Sequence, residues 1–432
     1  MKRGMWIYLF PLTVLAFVAP AVQYANAVFT PSNRWAFGGV LLLVLVLTGR
    51  ALVIVFYDVG AALGVYVGWS VLTYFWSEVP DLTLMKSFAL ALVSIGLLAG
   101  GQYWVSRVGW RSTLDYLLPM VALAVFAGAL GQAAVSGSTA ELELYYGLTD
   151  NPNMLGSLMN MAVPCVLWQA YRFRDSKKWM AVWLALLALI VGVLLMSIAR
   201  ASILAAVITC GMFVAAIGVR RNVALIAIAA IAAASAVIAI PDVFDILEQR
   251  YIRKAAAEAE VDVLASRADV WGESYDQAVK GGIVGGGYGV TIGDTDFVGG
   301  LTAVGYGREK GNSQLAIVEE TGVVGLLIYL AFLALLFRRA SFPLRQTHDR
   351  DMKVMGALLL GTLIGQIAQS ALEAWWVAPG SPESAYFWAL AGVVLGLSIE
   401  SRKRPAAARP PAVPADRHLS PERPGALLRR RS

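Results

Sequence analysis

The sequence predicts an all-α polytopic membrane protein of about twelve transmembrane helices. Hydrophobic residues make up 58% of the 432 residues and charged residues only 15%, against about 25% charged in an average soluble domain. The apolar residues occur in runs of about 17 to 25, the length that spans a bilayer as a helix. The basic residues fall mainly in alternate loops between these runs. Such alternation is typical of membrane proteins.

The runs can be followed in order along the chain. They lie near 6–25, 36–56, 60–76, 86–104, 114–135, 154–171, 180–197, 202–218, 223–240, 313–337, 354–372 and 384–400. The start "MKRGMWIYLF" has no small-residue cleavage site, so we expect the first helix to be retained. Arg50 interrupts the stretch 36–76 and makes it the hardest to divide. Cys165 and Cys210 lie inside runs, which favours core packing over a disulfide or a metal site.

Positive charge orients the helices. With the N-terminus in the cytoplasm, the inner loops receive most of the loop cations, whereas outer stretches such as "SEVPDLT" and "APGSPES" are acidic or neutral. The predicted inner cations are Arg50, Arg107, Arg111, Arg172, Arg174, Lys177, Lys178, Arg220, Arg221, Arg338, Arg339, Arg345, Arg350 and Lys353. Both chain ends are therefore predicted to be cytoplasmic.

Four regions follow from this topology. We expect helices one to nine in residues 1–240, a large outer loop in 241–312, helices ten to twelve in 313–400 and a tail in 401–432. The tail holds a net charge of +7, so the rest of the chain is close to neutral at −1. Its Pro and Ala content predicts disorder. The composition favours an anchor near anionic lipid over nucleic-acid binding.

Several outer cations oppose the topology rule. Arg200 in "SIARAS" has no acid in its own short loop, and a guanidinium suits an anionic, phosphate-like ligand. Arg250 and Arg253 have acids such as Glu258 nearby, which favours simple pairing. Arg267, Arg308 and Lys310 also belong to the large outer loop.

The stretch "KGGIVGGGYGVTIGD" is dominated by glycine. A phosphate-cradling loop is one interpretation, but no strand precedes it and no Lys-Ser/Thr follows. A close backbone turn that covers a cavity is favoured, because glycine permits positive φ and close approach. An ion-channel filter is disfavoured, since the segment lies in a polar outer loop.

Four segments occur in one order: "TDNPNMLGSLMNMAVP" (149–164), "SIARASILAAV" (197–207), "SRADVWGESYDQAVKGGIVGGGYG" (266–289) and "GNSQLAIVEETGVVGLLIYL" (311–330). Together they resemble the bacterial O-antigen ligase and O-antigen polymerase superfamily, over about residues 150 to 330. The resemblance implies metal-independent glycosyl transfer, without a cofactor, at the periplasmic side of the inner membrane. The implied donor is an undecaprenyl-diphosphate-linked oligosaccharide. The implied acceptor is lipid A core in ligases, a lipid-linked glycan in polymerases, or a protein side chain.

The resemblance also implies roles for single residues. Arg200 and Arg267 match the arginines that hold the donor diphosphate, and Asn153 matches the asparagine of the "pN" motif. Gly311 and Asn312 match an "HN" pair. Ligases carry histidine where this chain has Gly311, and its two histidines, His348 and His418, fall in the inner loop and the tail. This departure favours a polymerase, for which a chain-length regulator is a further implied partner, over a ligase or a protein oligosaccharyltransferase.

The chemistry of glycosyl transfer requires similar groups. Negative charge develops on the diphosphate leaving group, and fixed cations such as Arg200 and Arg267 stabilise it. An acceptor hydroxyl benefits from a base. The outer acids available for this role are Glu319, Glu320, Glu273 and Asp269.

Glu319 and Glu320 begin about seven residues into an apolar run, roughly 10 Å from its polar start. A carboxylate at membrane depth is a functional candidate. Since adjacent helical residues point about 100° apart, we expect one of the two to line a cavity. The alternative is a structural partner for an arginine such as Arg200.

Further substrate contacts are predicted at the polar start of the same run, from Arg308, Lys310 and Asn312. Trp375 and Trp376, in "LEAWWVAPGSPESAYFW", are candidates for stacking on sugars, and an interfacial aromatic belt is the favoured alternative. A transporter of the same lipid-linked glycan is a third class of function. It is disfavoured because the sequence shows no internal repeat of the kind that transporters carry.

Overall fold

The structure of the chain is a computed structural model that describes residues 5–135, 145–218, 265–293 and 310–403. In this part of the chain every regular element is a helix, apart from one isolated bridge between Val22 and Thr149. The all-helical class predicted from the sequence is therefore confirmed.

The α-helices are α1 (Leu9–Val18), α2 (Asn33–Leu47), α3 (Arg50–Val55), α4 (Asp58–Leu72), α5 (Pro80–Val108), α6 (Leu118–Val135), α7 (Pro152–Arg172), α8 (Lys177–Ser197), α9 (Arg200–Ile217), α10 (Ala265–Gly281), α11 (Ser313–Ala340), α12 (Phe342–Gln346), α13 (Arg350–Ser370) and α14 (Pro382–Lys403). Short 3-10 helices lie at Met5–Tyr8, Ala19–Ala21, Ala25–Ala27, Thr73–Trp76 and Trp110–Leu117. Side-chain oxygens cap several helix starts. Asn151 accepts from the Met154 amide at 2.8 Å, and Asn312 accepts from Leu315 at 2.9 Å.

Seven of the described helical segments are long and apolar enough to cross a membrane, so the chain is a membrane protein. They are Asp58–Trp76, Pro80–Val108, Lys177–Ser197, Arg200–Ile217, Ser313–Gln346, Arg350–Ser370 and Pro382–Lys403. Trp6–Ala21 and Asn33–Leu47 are shorter apolar helices. The predicted span at 223–240, most of the predicted outer loop and nearly all of the predicted tail lie outside the described residues.

The region around Arg50 differs from the single predicted helix 36–56. Helix α2 ends at Leu47, and Gly49 adopts a left-handed conformation with φ of 70° before α3 starts at Arg50. Glycine enters this conformation without a steric penalty. The predicted run is therefore two helices joined at a glycine.

Close glycine contacts pack the longest helices against one another. A β-carbon on Gly365 of α13 would lie 2.6 Å from the Ala205 carbonyl oxygen of α9, and one on Gly101 of α5 would lie 2.7 Å from the Ala389 carbonyl oxygen of α14. Small residues at such crossings let helix backbones approach closely, which is how helices associate in lipid.

Contacts between charged side chains gather one set of helix ends, which we call the basic end. Arg339 pairs with Asp58 at 2.7 Å, Arg174 pairs with Asp351 at 3.2 Å, and Arg172 pairs with Asp115 at 3.3 Å. These contacts join the end of α11 to the start of α4, and the end of α7 both to the start of α13 and to the 3-10 helix before α6. They unite loops that the sequence assigns to one side of the membrane.

Candidate functional site

Helix α11 starts at Ser313, at the end away from the basic end, and is broken at Gly322. Gly322 has φ of 71° and ψ of −177°, a conformation that is essentially confined to glycine. A β-carbon there would overlap the carbonyl oxygen of Ile283. The break frees backbone groups inside an apolar span, where each must find a partner within the protein.

The glycine-rich loop, residues 281–293, supplies those partners. Its amides at Gly286 and Gly287 donate to the carbonyl oxygens of Glu319 and Glu320 at 2.9 and 3.0 Å. In return, the amides of Val323 and Val324 donate to the carbonyl oxygens of Gly282 and Ile283 at 3.0 and 3.2 Å. The Trp69 indole N–H donates to the Thr321 carbonyl oxygen at 2.9 Å. The loop therefore completes the backbone hydrogen bonding of the broken helix.

The loop itself is held by α4, α5 and the turn between them. The Tyr288 amide donates to the Thr73 hydroxyl at 3.0 Å, and the Trp76 indole donates to the Gly285 carbonyl oxygen at 3.1 Å. The Tyr288 side chain is fully buried, and burial raises its pKa well above the ordinary value. Among the loop amides, those of Gly285, Gly286, Gly287, Gly289, Ile292 and Gly293 all donate within the protein. The loop is therefore a close backbone turn that packs against the broken helix α11, and its bonded amides are unavailable to a phosphate.

The two carboxylates predicted at membrane depth, Glu319 and Glu320, lie at the break and share a lysine. Glu320 Oε1 is 2.7 Å from Lys310 Nζ, and Glu319 Oε2 is 3.5 Å from it. The second oxygen of Glu320 accepts from the Gly289 amide at 2.7 Å, and that of Glu319 accepts from Ile292 at 3.2 Å. Both side chains are almost fully buried, at 1% and 2% exposed. We call Glu319, Glu320 and Lys310 the buried charge cluster.

The break changes the geometry that a regular helix would impose. In an unbroken helix, consecutive side chains point about 100° apart, which predicts that only one of the two carboxylates faces a given group. Here both reach Lys310, because the helix ends immediately after them at Gly322. Lys310 pairs with both carboxylates, and the sequence had suggested an arginine such as Arg200.

A second lysine, Lys86, and a third carboxylate, Glu78, adjoin the cluster. Neither was predicted as a site residue from the sequence. Lys86, on α5, donates to the Gly289 carbonyl oxygen at 2.8 Å and interacts electrostatically with Glu320. Glu78, two residues before α5, accepts from the Gly293 amide at 2.8 Å. The available signal was a lysine inside the apolar run of α5, since a charge at that depth is a functional candidate.

The starts of α7, α9 and α11 meet at the end of the bundle opposite the basic end, and we call this meeting point the mouth. A β-carbon on Gly156 of α7 would overlap Ala199, the residue before α9. The Gln369 amide of α13 donates to Ser157 of α7 at 2.7 Å and to Ser202 of α9 at 3.3 Å. Asn312 donates to the Ala371 carbonyl oxygen at 2.8 Å, which places the start of α11 beside the same end of α13.

Three of the predicted site residues, Arg200, Asn153 and Asn312, lie at this mouth. Arg200 is the first residue of α9 and is exposed, and Asn153 is exposed in the first turn of α7. Asn312 caps α11 with its oxygen and binds Ala371 through its nitrogen, so both ends of its amide are engaged within the protein. Helix starts carry partial positive charge, and they attract anions.

Helix α10 brings a further predicted arginine to the start of α11. Arg267 lies in its first turn, and Trp271, one turn later, donates from its indole to the Gly311 carbonyl oxygen at 3.2 Å. Arg267 therefore lies one helical turn before the residue of α10 that contacts Gly311. Glu273 is an exposed residue of the same helix, and Asp269 shares its first half. Arg308 lies outside the described residues.

A buried polar seam extends below the mouth between α7, α11 and α13. Gln369 joins Ser157, Ser202 and Asn160, and the Gln314 amide donates to Ser370 at 2.9 Å and to Tyr329 at 3.3 Å. None of these residues was predicted as a site residue from the sequence. Their signal was two glutamines three residues apart, Gln366 and Gln369, in an apolar helix, which indicates a polar helix face in a membrane.

Trp375 and Trp376 lie in the core and not on the surface. They are 4% and 1% exposed. The ring of Trp376 packs against aromatic rings on α4, α11 and α14, with its centre 4.6 Å from that of Tyr329 and 4.7 Å from that of Phe387. The surface of these rings is covered by other aromatic side chains of the protein. Neither stacking on a sugar nor a place in an interfacial aromatic belt fits this burial. The sequence shows aromatic residues in a loop but not how deeply that loop is buried.

The histidines do not supply a base near the mouth within the described residues. His348 lies between α12 and α13, next to the start of α13 at the basic end, and His418 is outside the described residues. The sequence topology assigns His348 to the inner side, and that side stays a prediction.

Comparison with known proteins adds no assignment, because the chain matches no protein-family model and no curated protein.

Proposed function

We propose that the chain is a membrane glycosyltransferase that extends a lipid-linked glycan, with an undecaprenyl-diphosphate-linked oligosaccharide as donor. The observation that carries this proposal is the mouth, where the starts of three helices meet and Arg200 is exposed at one of them. Helix starts and a guanidinium together suit a diphosphate. The order of the four sequence segments, with their resemblance to the O-antigen ligase and polymerase superfamily, supplies the reaction class.

In this proposal the mouth stabilises the leaving group. As the glycosidic bond to the diphosphate breaks, negative charge grows on the phosphate oxygen that departs. Arg200, the turn of Arg267 and the adjoining helix starts supply positive charge at that place. Removing one such stabilising group typically reduces the rate by about 10²- to 10³-fold.

The buried charge cluster has a positioning role in the same proposal. Each carboxylate of Glu319 and Glu320 already accepts from a loop amide and contacts Lys310. We therefore assign these two glutamates to fixing the glycine-rich loop and the start of α11, and we do not assign them proton abstraction. Asn153, exposed in the first turn of α7, is the proposed contact to donor or acceptor.

The test is reconstitution of the purified full-length protein in liposomes with lipid-linked repeat units, analysed on a gel. A ladder of longer lipid-linked chains, lost in Arg200→Gln and kept in the basic-end control Arg345→Gln, supports the proposal. Transfer that appears only after lipid A core is added replaces the polymerase with a ligase. Absence of both products contradicts glycosyl transfer.

The broken helix favours one alternative function, a transporter of the lipid-linked glycan. Discontinuous membrane helices with buried charge at the break are a feature of secondary transporters, and α11 has both. A fluorescent lipid-linked oligosaccharide in the same liposomes distinguishes the two. Movement between leaflets without chain extension favours the transporter, and extension without movement favours the enzyme.

A further inference from the structure

A cavity of about 270 Å³ lies at the basic end, far from the mouth and from the break in α11. It is lined by Tyr57, Arg339, Ile399, Arg402 and Lys403. Arg339 belongs to the last turns of α11, Arg402 and Lys403 end α14, and Tyr57 immediately precedes α4. The proposed glycosyl transfer uses none of these residues.

The cations of this cavity exceed their acidic partners. Asp58 pairs with both Arg338 and Arg339, and Lys403 pairs with Glu400 at 2.7 Å. Among the described residues, no carboxylate pairs with Arg402. Its guanidinium stacks 4.3 Å from the centre of the Phe342 ring instead. Among the described residues, three cations therefore line the cavity, and two carboxylates, Asp58 and Glu400, pair with two of them. The exposed Arg402 is oriented by an aromatic ring and is available to an anion.

The position of the cavity corresponds to the depth of lipid headgroups. Helix α14 has 22 residues, a length of about 33 Å, so its last turn emerges from a hydrocarbon core about 30 Å thick. Ile399 and Tyr57 add apolar surface to the cavity wall. The sequence that follows Lys403 contains seven further arginines and only two acids, and clustered basic residues beside a span attract anionic lipid.

We propose that this cavity binds the phosphate of an anionic phospholipid headgroup, with Arg402 and Lys403 as its principal donors. Arg339, fixed by Asp58, lines the inner wall, and Ile399 contacts the glycerol region. A membrane lipid is favoured over free phosphate because the cavity lies at the end of two spans and has apolar as well as cationic walls. The inference is independent of glycosyl transfer.

The test is a lipid titration of the purified full-length protein in detergent, followed by thermal unfolding. A ligand that binds only the folded state raises the unfolding temperature in proportion to its occupancy. We expect phosphatidylglycerol to raise the unfolding temperature by several degrees, and phosphatidylcholine and inorganic phosphate to leave it unchanged. In Arg402→Gln/Lys403→Gln the phosphatidylglycerol concentration for half of the effect should rise at least tenfold.

Arg345→Gln is the matched control, because Arg345 is an exposed arginine at the same end that does not line the cavity. The half-effect concentration of phosphatidylglycerol for Arg345→Gln should equal that of the wild type. If the double variant is poorly folded, Lys403→Gln alone, at a side chain that is 60% exposed, provides the same comparison. The same half-effect concentration of phosphatidylglycerol in the wild type and all variants would overturn the site. A rise in unfolding temperature with inorganic phosphate as large as that with phosphatidylglycerol would overturn the choice of a lipid.

Discussion

At the scale of single residues, Lys310 holds two buried carboxylates in one place. Its Nζ lies 2.7 Å from Glu320 and 3.5 Å from Glu319, and its own side chain is only 9% exposed. Lys86, bonded to Gly289, adds a second positive charge nearby. Buried charges persist when they are paired and hydrogen-bonded, and removal of one partner leaves the other uncompensated.

Lys310→Gln should therefore destabilise the protein by about 3–5 kcal/mol, because it leaves two buried carboxylates without their shared cation. The measurement is the free energy of unfolding in detergent by denaturant titration. Lys280→Gln is the control, since Lys280 is an exposed lysine on α10, and it should change stability by less than about 0.5 kcal/mol. Lys310→Gln/Glu320→Gln should recover part of the loss. A Lys310→Gln protein as stable as the wild type would contradict the assigned pairing.

Gly322→Ala should destabilise the protein by about 1–3 kcal/mol, the typical cost of a conformation that only glycine adopts readily. The added methyl group would also meet the Ile283 carbonyl oxygen. The same unfolding titration measures the effect. Gly64→Ala in α4 is the control, because a β-carbon there meets nothing within 4 Å, and alanine favours the helix. Equal stability of the two variants would show that α11 is not broken at Gly322.

The residues of the mouth were largely accessible from the sequence, whereas those at the break were not. Arg200 was predictable as a candidate site residue, because it is a lone cation in a loop where the topology rule expects none. The structure places it exposed at the start of a helix. The pairing of Lys310 with Glu319 and Glu320 depends on a turn whose path no periodicity encodes. Trp375 and Trp376 show the same limit, since burial of a loop is a tertiary property.

At the scale of elements, the glycine-rich loop and α11 form one hydrogen-bonded unit. Four backbone hydrogen bonds and two bonds to carboxylates join them. The loop therefore follows a fixed path, because it is hydrogen-bonded to the broken helix.

The positions of the helices were predictable from the sequence, because the length of an apolar run sets them. The breaks at Gly49 and Gly322 were not, because a lone glycine inside an apolar run is usually tolerated within a helix.

Hydrogen exchange should be slow across residues 281–293, in spite of seven glycines in that stretch, because most of the loop amides donate hydrogen bonds within the protein. Exchange-coupled mass spectrometry of the purified protein gives the measurement. Gly322→Ala should accelerate exchange in 281–293 and leave α8 unchanged. Complete exchange of the wild-type loop within seconds would contradict the unit, since locally open segments exchange first.

At the scale of the whole molecule, the helices have a basic end and a mouth. Salt bridges among Arg339, Asp58, Arg174 and Asp351 gather the cationic helix ends. The sequence assigns those ends to the cytoplasm through the positive-inside rule. The number of spans beyond the seven described segments, and their orientation, remain predictions from that rule.

Cysteine labelling tests this orientation. In a background with Cys165→Ala and Cys210→Ala, we expect His348→Cys and Asn153→Cys to react with a membrane-impermeant maleimide from opposite sides of the membrane. Both positions are exposed in the structure, so reactivity reports the side and not burial. Reaction of His348→Cys in intact spheroplasts would reverse the predicted orientation, and reaction of both from one side would contradict the two-ended arrangement.

The paired bonding between the glycine-rich loop and α11 also constrains how this gene can vary. Gly286 and Gly287 bind successive carbonyls, and Val323 and Val324 bind successive carbonyls in return. Inserting or deleting one codon between Gly282 and Gly287 would shift the loop amides relative to the loop carbonyls by one residue. The two sets of hydrogen bonds with α11 could then no longer form together. Point changes at Ile283 or Val284, whose side chains are partly or fully exposed, leave that register intact. A library of single-codon insertions and deletions should therefore be depleted across this segment far more strongly than a library of substitutions.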